Sequence, residues 1–213
     1  MKLHYNLLAG RSVERLAALS DGIFAVAMTL LVLDLHGPAR EAIHSEAQLW
    51  SALSALAPQL VAYMASFLTL GIFWNGQQAQ LNACERTDRH ITWIHIAFLF
   101  AVTLMPFSTR LLAEFIHYRA ALLCYWGNIV LLGVTLLLAW SCIERSGAVK
   151  QDAPPGIGRA IRRRIVIAQG LYAFGALLCL WDNYAAIAFV IAVQLNFALG
   201  LLPWRRGSHP GRD

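Results

Sequence analysis

Asp21 is the residue of this chain whose chemistry most needs an explanation. It lies about one and a half turns into an apolar run, Arg15–Leu35, which reads RLAALSDGIFAVAMTLLVLDL. A carboxylate in such a run is costly unless partners or water meet it. Arg15 lies six residues earlier, at about 600° of helical rotation, so the two side chains do not share a helix face. Each must find partners on other helices or in a water-filled vestibule. Two readings stay open: a polar staple that fixes helix packing, or part of an ion or proton pathway. After Asp21 comes a stripe at helical spacing, Val26, Thr29, Leu30 and Leu33. These fall within about 100° of one another, on a face apolar except for one hydroxyl. Gly22, Ala25 and Ala27 are small enough to let a neighbouring helix approach closely. Periodicity does not separate a pore lining from a packed or lipid-facing stripe.

Other reactive arrangements are missing from the sequence. There is no Ser/His/Asp arrangement, no carboxylate pair and no phosphate-binding glycine loop, so the sequence does not read as an enzyme. Cys84, Cys124, Cys142 and Cys179 show no CxxC or Cys/His metal spacing and are expected to be small buried hydrophobes. His95, within an apolar run, is expected to be a hydrogen-bonded packing residue. Asn128, Gln169, Gln194 and Asn196 are expected to bond between helices. Asp34 and Glu114 fall near the outer ends of spans. Facing a shared axis, Asp34 would concentrate cations.

The elements that must position these residues are membrane spans. The chain has 213 residues, 58% hydrophobic and 14% charged, with a mean hydropathy of +0.55. An ordinary globular chain is roughly 25% charged, so this one cannot coat a water-soluble particle. Six stretches approach the ~20 residues that a helix needs to cross a bilayer. They are Leu16–Leu35, Leu49–Trp74, Ile91–Leu112, Ala120–Ile143, Ile165–Trp181 and Tyr184–Trp204. The last two are separated only by Asp182 and Asn183 and form a tight hairpin. Trp50, Trp74, Trp93, Trp140, Trp181 and Trp204 fall near expected interfaces, and Pro58 and Pro106 fall inside spans as kink candidates. The first stretch is long and carries acidic residues, so it reads as a span rather than a cleaved leader.

With six spans, every Lys and Arg except Arg40, Arg110 and Arg119 falls on one side, which places both termini in the cytoplasm. The net charge of +5 is thereby assigned to orienting loops rather than to nucleic acid. The reading is one six-helix transmembrane domain over residues 1–204, a loop over Gly147–Gly158, and a polar cytoplasmic tail over 205–213.

Arg15-x-x-x-Leu19-Ser20-Asp21 resembles the RxxxFSD signature on the first helix of the transmembrane protein 175 family of potassium channels. The run Gly22–Leu31 is similar to the same family. So are Gly71-Ile72-Phe73-Trp74 at the end of the second span, and Trp93 through Pro106-Phe107-Ser108-Thr109-Arg110. The resemblance implies an all-α polytopic fold with six transmembrane helices, assembled as a homotetramer whose first helices line a pore without a re-entrant filter loop. It implies a bacterial inner-membrane channel passing K+ and other monovalent cations, with no cofactor and no bound metal beyond the permeating ions. By position it gives Val26, Thr29, Leu30 and Leu33 as constriction and selectivity residues. It gives Arg15, Leu19, Ser20, Asp21 and Trp74 as the signature that ties the first helix to its neighbours. Leu19 replaces the signature Phe, and Val26 is smaller than the isoleucine or leucine common there. Gln77 and Gln78 stand where relatives often carry a histidine pair; an amide can donate and accept but carries no charge. The competing class is a secondary transporter of a small ion or solute coupled through Asp21, which would show inverted repeats.

Overall fold

The computed structural model describes residues 12–40 and 43–200. In chain order the helices are α1 (Val13–Leu33), α2 (Glu46–Ala55), α3 (Ala57–Asn82), α4 (Arg89–Thr103), α5 (Met105–Glu114), α6 (Arg119–Arg145), α7 (Ile157–Leu178) and α8 (Asn183–Leu199). Among the described residues the only strand-like pairing is an isolated bridge between Cys84 and Val149. The expectations for Trp204 and for the 205–213 tail lie outside the described residues.

Local chemistry sets most helix starts. Ser12, Ser45, Asp88 and Asp182 each accept a backbone N–H in the first turn of the helix that follows, which satisfies an orphan donor. The two prolines do more than kink their spans. Each stands in the first turn of a new helix, α3 for Pro58 and α5 for Pro106, and the helix before it stops at Leu56 or Leu104. A proline ring has no N–H to donate and crowds the preceding turn, so the break falls just before it.

Four helical segments are long and apolar enough to cross a membrane: Val13–Leu33, Ala57–Asn82, Arg89–Glu114 and Arg119–Arg145. The chain is therefore a multi-pass membrane protein. Most of the fifth expected span, up to Leu178, lies in α7, which opens on Arg159 and Arg162–Arg164, and the sixth lies on α8, of 17 residues, as far as Leu199.

α1 packs on α3, α4 and α5, while α6 packs on α4, α5 and α7. Phe24, Phe73 and Phe98, from α1, α3 and α4, meet with ring centroids 6.0 and 6.3 Å apart at the centre of the main core. A smaller core closes the Arg-rich end, where Glu85 N–H donates to Ala148 O (2.8 Å) and Lys150 N–H to Ala83 O (2.9 Å). These bonds pin the α3–α4 and α6–α7 connections together over Trp140. That tryptophan, expected at an interface, is fully buried. Cys84 and Cys179 are buried as expected, but Cys142 is only partly covered and Cys124 is exposed.

Candidate functional site on the first helix

α1 divides into two faces. Leu16, Ser20, Phe24, Ala27 and Leu31 are buried against the rest of the chain. Roughly a third of a turn away, Leu19, Val26, Leu30 and Leu33 are bare; Val26 is 57% and Leu33 67% exposed. Leu19, Gly22, Val26 and Leu30 line an open apolar crevice of about 420 Å³, which Thr103 of α4 also borders. Thr29 is exposed on the same side and donates its hydroxyl proton to Val26 O at 2.8 Å. The hydroxyl hydrogen is thus spent on the helix, and the oxygen's remaining capacity is as an acceptor.

Ser20 and Asp21 face α3. Asp21 Oδ1 accepts from Trp74 Nε1 at 2.8 Å and from Gln78 Nε2 at 2.7 Å. Ser20 donates to Leu16 O at 2.8 Å and accepts from Gln77 Nε2 at 3.0 Å. Ser20 and Gln77 have no exposed surface. The two glutamines thus sit one on each signature residue and clamp α1 to α3. Asp21 lies about 140° from Val26 and about 80° from Thr29 around the helix, at the edge of the exposed side.

Two signature positions do not join the clamp. Arg15 is exposed; its backbone N–H donates to the Ser12 hydroxyl, and among the described residues its side chain makes no hydrogen bond or ion pair. Leu19 belongs to the bare face. Asp21 is also exposed, so the two charges are not a buried pair.

Towards the other end of α1, Asp34, His36, Gln59, Arg110 and Glu114 border a small cavity of about 40 Å³. Arg110 is paired with Glu114 at 2.8 Å. Asp34 closes α1 as its C-cap and is only partly exposed.

A second polar set holds the helices behind α1. Gln194 Nε2 donates to Thr69 Oγ1 (2.6 Å) and Thr109 Oγ1 to Ser66 Oγ (2.6 Å); Ser66 and Thr69 both reach Tyr125 OH at 3.3 Å. These residues staple α3, α5, α6 and α8. Sequence reasoning picked out Gln194 but missed Ser66, Thr69, Thr109 and Tyr125; the available signal was hydroxyls recurring within apolar runs. Asn128 and Gln169 also bond between helices, to Ser108 and to Ile129 O. His95 is buried, with Nδ1 2.9 Å from Ile91 O on its own helix. Among the described residues no His, Cys, Asp or Glu cluster could hold a metal.

Comparison with known proteins fits this geometry to a family. The family described as "Endosomal/lysosomal potassium channel TMEM175" matches residues 15–106, which carry both sides of the α1–α3 clamp. A protein of Streptomyces collinus named as a potassium channel is 32% identical over 197 residues, covering 88% of each chain. The chain belongs to the TMEM175 family. A Chryseobacterium protein, also named as a potassium channel, is 26% identical over 90% of this chain and 94% of its own length. The crystal structure of a lysosomal potassium-selective channel TMEM175 homolog from Chamaesiphon minutus is 26% identical, with a TM-score of 0.76. It is covered over 97% of its length by 88% of this chain. The TMEM175 match and the α1 geometry thus meet on the same segment.

Proposed function

We propose that this TMEM175-family chain is a potassium channel in which α1 lines the conducting pathway. It is a membrane ion channel and not an enzyme, and K+ is the permeating ion rather than a cofactor. Four copies surround an axis, each offering the bare face of α1. The observation that carries this reading is the unpartnered stripe of Val26, Leu30 and Leu33 with Thr29 beside it, on the helix that bears the signature. A ring of aliphatic side chains can gate by excluding water, and Thr29 oxygens supply the stripe's polar layer for a partly dehydrated cation. All six apolar stretches cross the membrane, α7 and α8 as the last two. The Arg-rich end faces the cytoplasm of a bacterial inner membrane, which puts both termini there. Relatives named as potassium channels favour this reading over a transporter coupled through Asp21.

Potassium flux into liposomes holding the purified protein, with its mass measured in nanodiscs, tests this. A tetramer that conducts K+ and is blocked by silver after cysteine replacement at positions 26, 30 or 33 is expected. A monomer with full flux, or block only from another helix, overturns it.

A further inference from the structure

The start of α7 holds Arg159, Arg162, Arg163 and Arg164 within six residues. Arg162 is engaged by Glu144 of α6. Arg164 instead borders a narrow cleft of about 40 Å³ between α3, α6, α7 and α8. Its walls are otherwise largely apolar, with Phe73, Leu136 and Phe197 contributing. Two residues that line it each carry a buried polar atom without a partner among the described residues: the hydroxyl of Tyr172, a residue 1% exposed, and Gln169 Oε1. Arg164, Ala168 and Tyr172 recur every four residues, so the cleft follows one face of α7. The backbone rises about 12 Å along that face from Arg164, at the Arg-rich end, to Tyr172.

An unmatched hydroxyl in an apolar setting is costly, and an interfacial arginine beside an inter-helix pocket is a site for an acidic head group. A free phosphate or nucleotide would leave the apolar walls without a partner, and a zwitterionic lipid would oppose a cation to Arg164. We propose that this cleft binds an anionic phospholipid from the leaflet facing Arg164, its phosphate on the guanidinium and an ester carbonyl accepting from Tyr172. The cleft wall on α3, at Phe73 and Gly76, flanks Trp74, Gln77 and Gln78. Lipid in the cleft therefore braces the segment that holds α1.

Native mass spectrometry of the full chain, titrated in detergent with phosphatidylglycerol or phosphatidylcholine, tests this. The wild type should retain phosphatidylglycerol in preference. Arg164→Gln should cut that preference roughly five- to tenfold. Tyr172→Phe should lower phosphatidylglycerol retention, whereas Arg159→Gln, away from the cleft, should leave it intact. Equal retention of the two lipids by the wild type overturns the proposal. So does an Arg164→Gln chain that keeps the preference, a Tyr172→Phe chain that binds as the wild type does, or an Arg159→Gln chain that loses as much. The same spectra report subunit number, so a failure of the tetramer is read separately from a failure of lipid binding.

Discussion

Ser20 and Gln77 offer a test of the clamp that removes either partner or both. Gln77 is fully buried; its Nε2 donates to Ser20 Oγ, and its Oε1 has no partner among the described residues. Ser20→Ala removes the acceptor and leaves a buried amide with neither end satisfied, at a cost of about 1–3 kcal/mol. Gln77→Leu acts differently. It deletes an amide that is already half unmatched, while Ser20 keeps its own bond to Leu16 O. Its net cost should be under about 1 kcal/mol, because removing an unsatisfied polar group offsets the lost bond. In the double variant nothing polar is stranded, so its stability should match Gln77→Leu alone. For a chain of this length each kcal/mol moves the melting temperature by roughly 2–4 °C. Ser20→Ala should therefore melt roughly 2–12 °C lower, and adding Gln77→Leu should recover most of the loss. Thermal unfolding of the purified protein, followed by the amount still assembled on size exclusion, gives the cycle. If Gln77→Leu costs as much as Ser20→Ala and the two add, the bond contributes in its own right and the argument from stranded polarity is wrong.

Val26→Asn and Val26→Ala should both raise basal potassium flux by letting water persist at the stripe, while Ala27→Ser, on the buried face, should not; liposome flux decides it. Ala25, exposed like Val26, is a poorer control than Ala27. Thr29→Val should lower the preference for K+ over Na+ with little effect on closure, read as a bi-ionic reversal potential. Gly175→Ala should destabilise the α7–α8 pair by about 1–3 kcal/mol, because its Cβ would fall 2.9 Å from Val190 Cγ2 and 3.1 Å from Phe189 Cδ1; a thermal melt measures it. Burial pushes the Cys84 thiol above the ordinary cysteine range, so less thiolate is present at neutral pH. A maleimide should label exposed Cys124 in detergent well before Cys84, as peptide mapping would show.

What the sequence made legible followed from rules that act locally. The apolar runs and the α7–α8 hairpin could be read because each depends on a few adjacent residues, whereas the caps at Ser12 and Asp182 emerged only with the structure. The two helix breaks were half legible. Proline marks the place, but whether a span bends or restarts depends on what receives the freed carbonyls. Trp140 was misplaced because indole at a span end usually marks an interface. Here the Cys84–Val149 connection closes over it, a pairing between segments some sixty residues apart that no local pattern reveals.

The candidate site divides along the same line. Asp21 was conspicuous as a charge in an apolar run, yet its partners, Trp74 and Gln78, sit on α3, 53 and 57 residues away. Only the resemblance to a signature pointed at them. The bare face is the harder case. In water, an apolar stripe on a helix marks the side that is buried. In a bilayer that inference fails, because lipid, core and a dry gate all select aliphatic side chains. Leu16, Phe24 and Leu31 repeat as regularly as Leu19, Val26, Leu30 and Leu33. What separates the two sets is that the first carries Ser20 on its face and the second carries Thr29. A buried hydroxyl needs a partner from another helix, and Ser20 has one in Gln77. Thr29 bonds only its own helix, so among the described residues no neighbouring helix claims it. The polar residue on each face, rather than the apolar ones, distinguishes the face that packs within the chain from the face left bare, the one proposed to line the pathway.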